Sequence, residues 1–175
     1  MNPHGGKAAF VCLILLLAVD ASEVLPTTLW MAPVLNPGGY SSEALSFALG
    51  MDAEAATQRG RFALRQFAEQ PNSNFIQGMP EDVTDVIRRL MNAGMKQGAW
   101  DVVVCHATPD VWHSDGAFGW GAVQPCPPLG AQFRIGRTMY ETDRVPEAWV
   151  SRINVMDEIW VPSAFGYDQF AASGV

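Results

Sequence analysis

The chain has 175 residues, 49% of them hydrophobic and 17% charged. That is a globular composition with room for one domain and a proper core, and it excludes a disordered chain. The formal net charge of −7 argues against nonspecific nucleic-acid binding, which needs cationic side chains to neutralise phosphates.

Met1 to Lys7 is short and weakly basic, Ala8 to Val19 is an unbroken apolar run, and Val19-Asp20-Ala21 precedes Ser22. This is the order of a signal peptide over residues 1–21, and it predicts entry into the secretory pathway, to the endoplasmic reticulum or Golgi lumen or beyond. The run is shorter than the about 20 apolar residues that span a bilayer, so membrane contact is expected only through an uncleaved leader. The alternative is a buried first element of the fold. No Asn-x-Ser/Thr sequon occurs in the chain to corroborate secretion. Cys12 lies in the leader, which leaves Cys105 and Cys126. Two buried thiols and a pair formed in an oxidising compartment are both open.

Thr28 to Leu35 reads as a first strand, ended by the turn cluster Asn36-Pro37-Gly38-Gly39. A helix follows, capped by Ser41 or Ser42, with Glu43 in its first turn and Leu45, Ala48 and Leu49 on one face. Phe62 to Phe67 is a second strand, and Pro71 to Asn74 a loop. Glu81 to Ala93 is the clearest helix: Val83, Val86, Ile87, Leu90 and Met91 form an apolar stripe, Pro80 suits its start and Gly94 its stop. Asp101 to Cys105 is almost wholly apolar, as a parallel strand buried on both faces requires. Asp115 to Gly130, rich in Gly and Pro, reads as a loop, and Phe133 to Tyr140 as a strand. Pro146 opens a helix with Trp149, Ile153 and Met156 on one side. Ile159 to Val161 is a short strand, and Ser163 caps a last helix closed by Gly174. Strands alternating with helices predict an α/β fold with a doubly wound, mostly parallel sheet.

Ligands of such sheets bind beyond the carboxyl ends of the strands, and three clusters fall there. Asn36 to Ser41 brings Gly38 and Gly39 to a helix start, where the backbone approaches anionic groups closely or simply turns. It is neither a dinucleotide fingerprint nor a P-loop. His106 follows a buried strand, where an imidazole shuttles protons, donates to a hydroxyl or is merely structural. Glu141 and Asp143 supply two carboxylates for hydroxyl binding or acid/base work, or pair locally with Arg137 or Arg144. Cys105, His106, His113 and Cys126 lack zinc-ligand spacing, so no metal is expected. Trp112, Phe118 and Trp120 would stack on a sugar face or pack the long loop.

Phe133 to Val175 resembles closely the N-terminal domain of group 1 glycosyltransferases. The carrying segments are Gly-Arg-Thr-Met-Tyr-Glu-Thr-Asp at Gly136 to Asp143, Trp149 in a short helix, Met-Asp-Glu-Ile-Trp-Val-Pro-Ser at Met156 to Ser163, and Ser-Gly-Val at Ser173 to Val175. Pro33 to Ala44 is similar to the family's glycine-bearing first loop, near the donor phosphates. Asp101 to Trp112 is similar to its strand followed by His-x-x-Pro. The likeness covers most of Leu29 to Val175 and is weakest over Gln58 to Gln77.

The resemblance implies the N-terminal Rossmann-like half of a GT-B fold, over residues 28–175. It implies sugar transfer from a nucleotide-sugar donor to a glycan or other hydroxyl acceptor, with retained anomeric configuration and no metal or other cofactor. His106 would act on the acceptor side as a catalytic residue with Glu141, while Gly38, Gly39 and Asp143 would bind substrate. The donor-binding half of the family lies beyond the matched residues, so this chain alone is expected to have little or no transferase activity. Its partner-facing apolar surface is expected to favour association. A noncatalytic glycan- or partner-binding half-domain is the alternative, and an unrelated Rossmann-like nucleotide-binding protein a third reading.

Overall fold

The computed structural model describes residues 26–58, 62–95, 99–112 and 125–175. The expected leader and residues 113–124 of the long loop, with His113, Phe118 and Trp120, lie outside them. Five strands form one all-parallel sheet: β1 (Thr28–Ala32), β2 (Phe62–Gln66), β3 (Val102–His106), β4 (Phe133–Arg137) and β5 (Glu158–Trp160), in the order β2-β1-β3-β4-β5. Between them run α1 (Gly39–Gln58), α2 (Ser73–Gln77), α3 (Glu81–Gly94), a 3-10 turn (Pro109–Val111) and α4 (Glu147–Ile153), with α5 (Ala164–Ala172) last. This is the expected α/β, Rossmann-like architecture.

Side-chain alternation divides the core in two. Leu29, Met31, Ala63, Val103 and Cys105 point to one face, where they meet Trp112, Ile153, Met156 and Phe170. Trp30, Ala32, Phe62, Leu64, Val104 and Ile135 point to the other, against Ala44 and Ala48 of α1 and Ile87 and Leu90 of α3. Each fully buried aliphatic side chain contributes about 1.5–3 kcal/mol, so helices on both faces are what makes an all-parallel sheet stable.

Several boundaries differ from expectation for definite reasons. β1 stops at Ala32 because Pro33 has no N–H for the ladder, and the Leu35 N–H donates instead to Gln66 Oε1 at 2.9 Å. β4 stops at Arg137 because the Met139 N–H donates to the Tyr40 hydroxyl at 3.2 Å. The first helix opens at Gly39, so Ser41 and Ser42 lie inside it and neither caps it. Its deeply buried residues are Ser41, Ala44 and Ala48, with Leu45 and Leu49 only half-buried. The Pro71–Asn74 loop runs into α2, whose first turn is capped by Asn72 accepting from the Phe75 N–H at 3.0 Å. Ser163 caps α5 as expected, accepting from the Gly166 N–H at 3.1 Å.

Gly94 is the last residue of α3 and has another reason to be glycine than ending the helix. A Cβ there would overlap the Leu64 carbonyl of β2, and Arg65 Nη2 donates to the Gly94 carbonyl at 2.6 Å. Gly94→Ala is therefore expected to cost about 1–3 kcal/mol by overpacking. Gly50, in α1, has nothing within 4 Å of a built Cβ, and Gly50→Ala should gain up to about 1 kcal/mol. Thermal unfolding of the two variants checks this, and equal shifts would refute it.

Cys105 and Cys126 are paired in a disulfide with their Cα atoms 5.7 Å apart, so of the two readings left open the pair is the one realised. Both residues are fully buried, and the bridge closes a loop of 21 residues from the end of β3. Such a closure is worth about 3 kcal/mol in the chain-entropy account. A disulfide reductant should lower the melting temperature of the oxidised chain and leave that of Cys126→Ser unmoved.

Candidate functional site

The chain runs from β1 to β2 on one side and then crosses to β3 on the other side of β1. The topological switch point therefore lies between β1 and β3, where open α/β sheets bind their ligands beyond the carboxyl ends. The loop from β1 to α1 borders it, with Gly38 at φ +154. Asn36, buried in that loop, donates from Nδ2 to the Gln70 carbonyl at 2.5 Å and accepts from Gln66 Nε2 at 2.9 Å. These bonds fasten the loop to the end of β2. Gly38 and Gly39 stand exposed, and nothing lies within 4 Å of a Cβ built on either.

His106 ends β3 on the same sheet face as Trp30 and is fully buried. The Trp30 indole N–H donates to His106 Nδ1 at 3.1 Å. An indole only donates, so Nδ1 is an acceptor and the ring proton sits on Nε2. Nε2 then donates to Glu43 Oε2 at 2.9 Å. Arg137, at the end of β4, donates from Nη2 to Glu43 Oε1, and from Nη1 to the carbonyls of Thr138 and Trp160 at 3.1 and 3.2 Å. Tyr40 closes the cluster: its ring meets the His106 ring edge-on at 5.5 Å between centroids, and its hydroxyl lies 3.1 Å from Thr138 Oγ1.

Burial pushes the His106 imidazole down to about 4, with Arg137 pushing the same way and the Glu43 carboxylate pulling upward against both. The ring is thus neutral at physiological pH, as the indole bond requires.

Glu141 and Asp143 are exposed, and neither takes part in this cluster. They share a turn held to α5, where Gln169 Nε2 donates to the Thr142 carbonyl and the Val145 N–H donates to Ser173 Oγ at 3.0 Å. So Gly38, Gly39 and His106 border the switch point, while Glu141 and Asp143 sit on the turn after β4. Trp112 is wholly buried under the sheet. A Cβ on Gly136 would come within 2.5 Å of its ring, so Trp112 packs the core and presents no stacking face. Among the described residues no group of three or more His, Cys, Asp or Glu side chains is placed to hold a metal ion.

Glu43 is the member that sequence reasoning placed only at a helix start. A signal for it exists: Tyr40, Glu43 and Phe47 recur at helical spacing on one face, a single charge in an aromatic stripe. Phe47 stacks on Trp30 at 5.1 Å.

Comparison of the chain with protein-family models, curated proteins and solved structures finds no match.

The depressed His106 value has a pH consequence. The unfolded imidazole takes up a proton near 6.5, whereas the folded one resists until about 4. The unfolded state then binds more protons between these values, so stability is full above 6.5 and is lost as pH falls through about 4. The loss is up to about 3 kcal/mol, at 1.36 kcal/mol per unit. Denaturant melts from pH 7 to 4 should show this slope in the wild type and a flatter one in His106→Gln.

Proposed function

We propose that this chain is the acceptor-side domain of a glycosyltransferase that moves a sugar from a nucleotide-sugar donor to a glycan or other hydroxyl acceptor. The observation that carries the reading is the open glycine pair at the switch point. Gly39 has ordinary backbone angles and empty space where its side chain would be, so packing within the described chain does not call for glycine there. Close approach of a ligand to the start of α1 does. The likeness of Gly136 to Asp143 and of Met156 to Ser163 to group 1 glycosyltransferases supports the same reading, as does the Rossmann-like sheet.

In this chemistry the bond from the anomeric carbon to the donor's phosphate oxygen breaks and a bond from that carbon to the acceptor oxygen forms. The acceptor's proton leaves with the phosphate. No metal or cofactor is required, and catalysis rests on holding both reactants in register and stabilising the leaving phosphate. In the family resembled, a second domain binds most of the donor. Gly38 and Gly39 serve the phosphate edge of the cleft and the His106 cluster its acceptor side, with Glu141 and Asp143 on the exposed turn at the margin. An apo-chain of this kind binds saccharide and nucleotide-sugar weakly and turns over little by itself. The leader-like segment supports a secretory setting.

The enclosure of His106, with both ring nitrogens engaged, favours a second reading: a noncatalytic glycan- or partner-binding domain. Gly39→Val separates ligand binding from folding. The exposed, uncrowded site predicts a stability change within about 0.5 kcal/mol. Calorimetric titration with UDP-glucose and GDP-mannose should show at least one that binds the wild type and binds Gly39→Val about tenfold more weakly or worse. Equal binding by the two proteins, or none by the wild type, would sink the transferase reading. Saccharide binding without any nucleotide-sugar response would leave the second.

A further inference from the structure

Trp30, His106 and Arg137 are all buried, and the carboxylate that joins His106 to Arg137 is not. The Glu43 side chain is 27% exposed, against 0% for His106 and 5% for Arg137. A carboxylate accepts about four hydrogen bonds. Two positions are filled, Oε2 by the His106 Nε2–H and Oε1 by the Arg137 guanidinium. The remaining lone pairs belong to a group that solvent reaches. Glu43 also lies one helical turn from Gly39, about 6 Å along the axis at 1.5 Å per residue, which places it beside the open glycine loop.

We propose that Glu43 is the hydroxyl-binding carboxylate of this site and that His106 is a positioning residue acting through it. The proposal rests on the transferase reading for its place in the reaction, as the acceptor-side anchor. His106 has no free nitrogen: Nδ1 is held by the Trp30 indole and Nε2 by Glu43. It meets no ligand in this arrangement, but it fixes one carboxylate oxygen while Arg137 fixes the other. An anchor held at both oxygens loses little freedom on binding, which is the advantage of a preorganised site.

The chemistry also selects the ligand class. An ionised carboxylate only accepts, so its partner must donate. Arg137 balances its charge, so a cation gains little net attraction. A neutral polyol or sugar, whose hydroxyls donate without carrying charge, fits what remains. Glu141 and Asp143, exposed and without hydrogen bonds among the described residues, have no such orientation.

The test is an NMR titration of the intact, oxidised chain with methyl α-D-glucopyranoside, following the His106 Nε2–H and ring nitrogens. The expected result is a saturable shift of the Nε2–H signal with Nδ1 remaining an acceptor. Affinity should fall about tenfold or more in Glu43→Gln and be partly recovered in Glu43→Asp. A purely structural Glu43 would not make His106 respond to saccharide. Wild-type affinity in folded Glu43→Gln overturns the proposal. So does a wild-type His106 signal that saccharide leaves unmoved, a reading that needs no variant to fold. Saccharide binding lost in Glu43→Gln, with no nucleotide-sugar response from either protein, keeps the Glu43 assignment and discards the transferase reading.

Discussion

The carboxyl end of the sheet depends on one junction, the Glu43 carboxylate shared between the His106 imidazole and the Arg137 guanidinium. It joins the first turns of α1 to the ends of β3 and β4. Arg137 is buried, and an uncompensated charge there would cost several kcal/mol. The cost is offset because Glu43 neutralises the guanidinium and the Thr138 and Trp160 carbonyls take further N–H groups. The neutral imidazole adds a hydrogen bond without a second buried cation. Removing Glu43 altogether would therefore strand Arg137 and free the start of α1 together. The glycine loop derives its placement from the same contacts, since Gly39 is the first residue of that helix.

The rest of the sheet is organised to keep that end rigid. Asn36 and Gln66 lock the β1 loop to β2, and Tyr40 ties α1 to the strand after Arg137 through the Met139 backbone and Thr138. On the opposite face Arg152 of α4 donates to the Asp110 and Trp112 carbonyls at 2.9 and 2.6 Å, holding the turn that follows His106. The disulfide from Cys105 anchors residue 126 beside the same strand end. Small residues permit the close contacts: Gly136 leaves the space that the Trp112 ring fills. A site assembled on strand ends and one helix start is thus braced from both faces, the condition for holding side chains in a fixed geometry.

What was legible in the sequence follows from what is local. The unbroken apolar run Val102–Val104 declares a strand buried on both faces, the apolar stripe of α3 declares a helix through its period of three to four residues, and the alternation of such elements indicates the layered fold. α2 left no trace because its five residues bury no side chain, so no period exists to detect. Glu43 was legible only as a helix-start carboxylate, because its partners lie 63 and 94 positions away in the chain. They become neighbours only once β1, β3 and β4 stand side by side. The Cys105–Cys126 pair was open for the same reason: spacing says nothing about where two Cβ atoms point. Glu141 and Asp143 read as paired acids in the sequence, but the turn that carries them is tied to α5 and projects both into solvent.

The tautomer of His106 decides how this cluster divides its work. Had Nδ1 faced an acceptor, the ring could hold a second proton and serve as an acid/base group. Trp30 supplies a donor instead, so protonation at Nδ1 would break a buried hydrogen bond and place an imidazolium beside Arg137. Both penalties add to burial in keeping the ring neutral, and both act only on the charged form. A neutral imidazole whose one proton is committed to Glu43 has orientation to offer and no proton to exchange. The chemically available end of the cluster is then the carboxylate, because it alone combines unfilled lone pairs with access to solvent. A histidine at the end of a buried strand invites a catalytic assignment, and the direction of one indole N–H transfers that role to its neighbour.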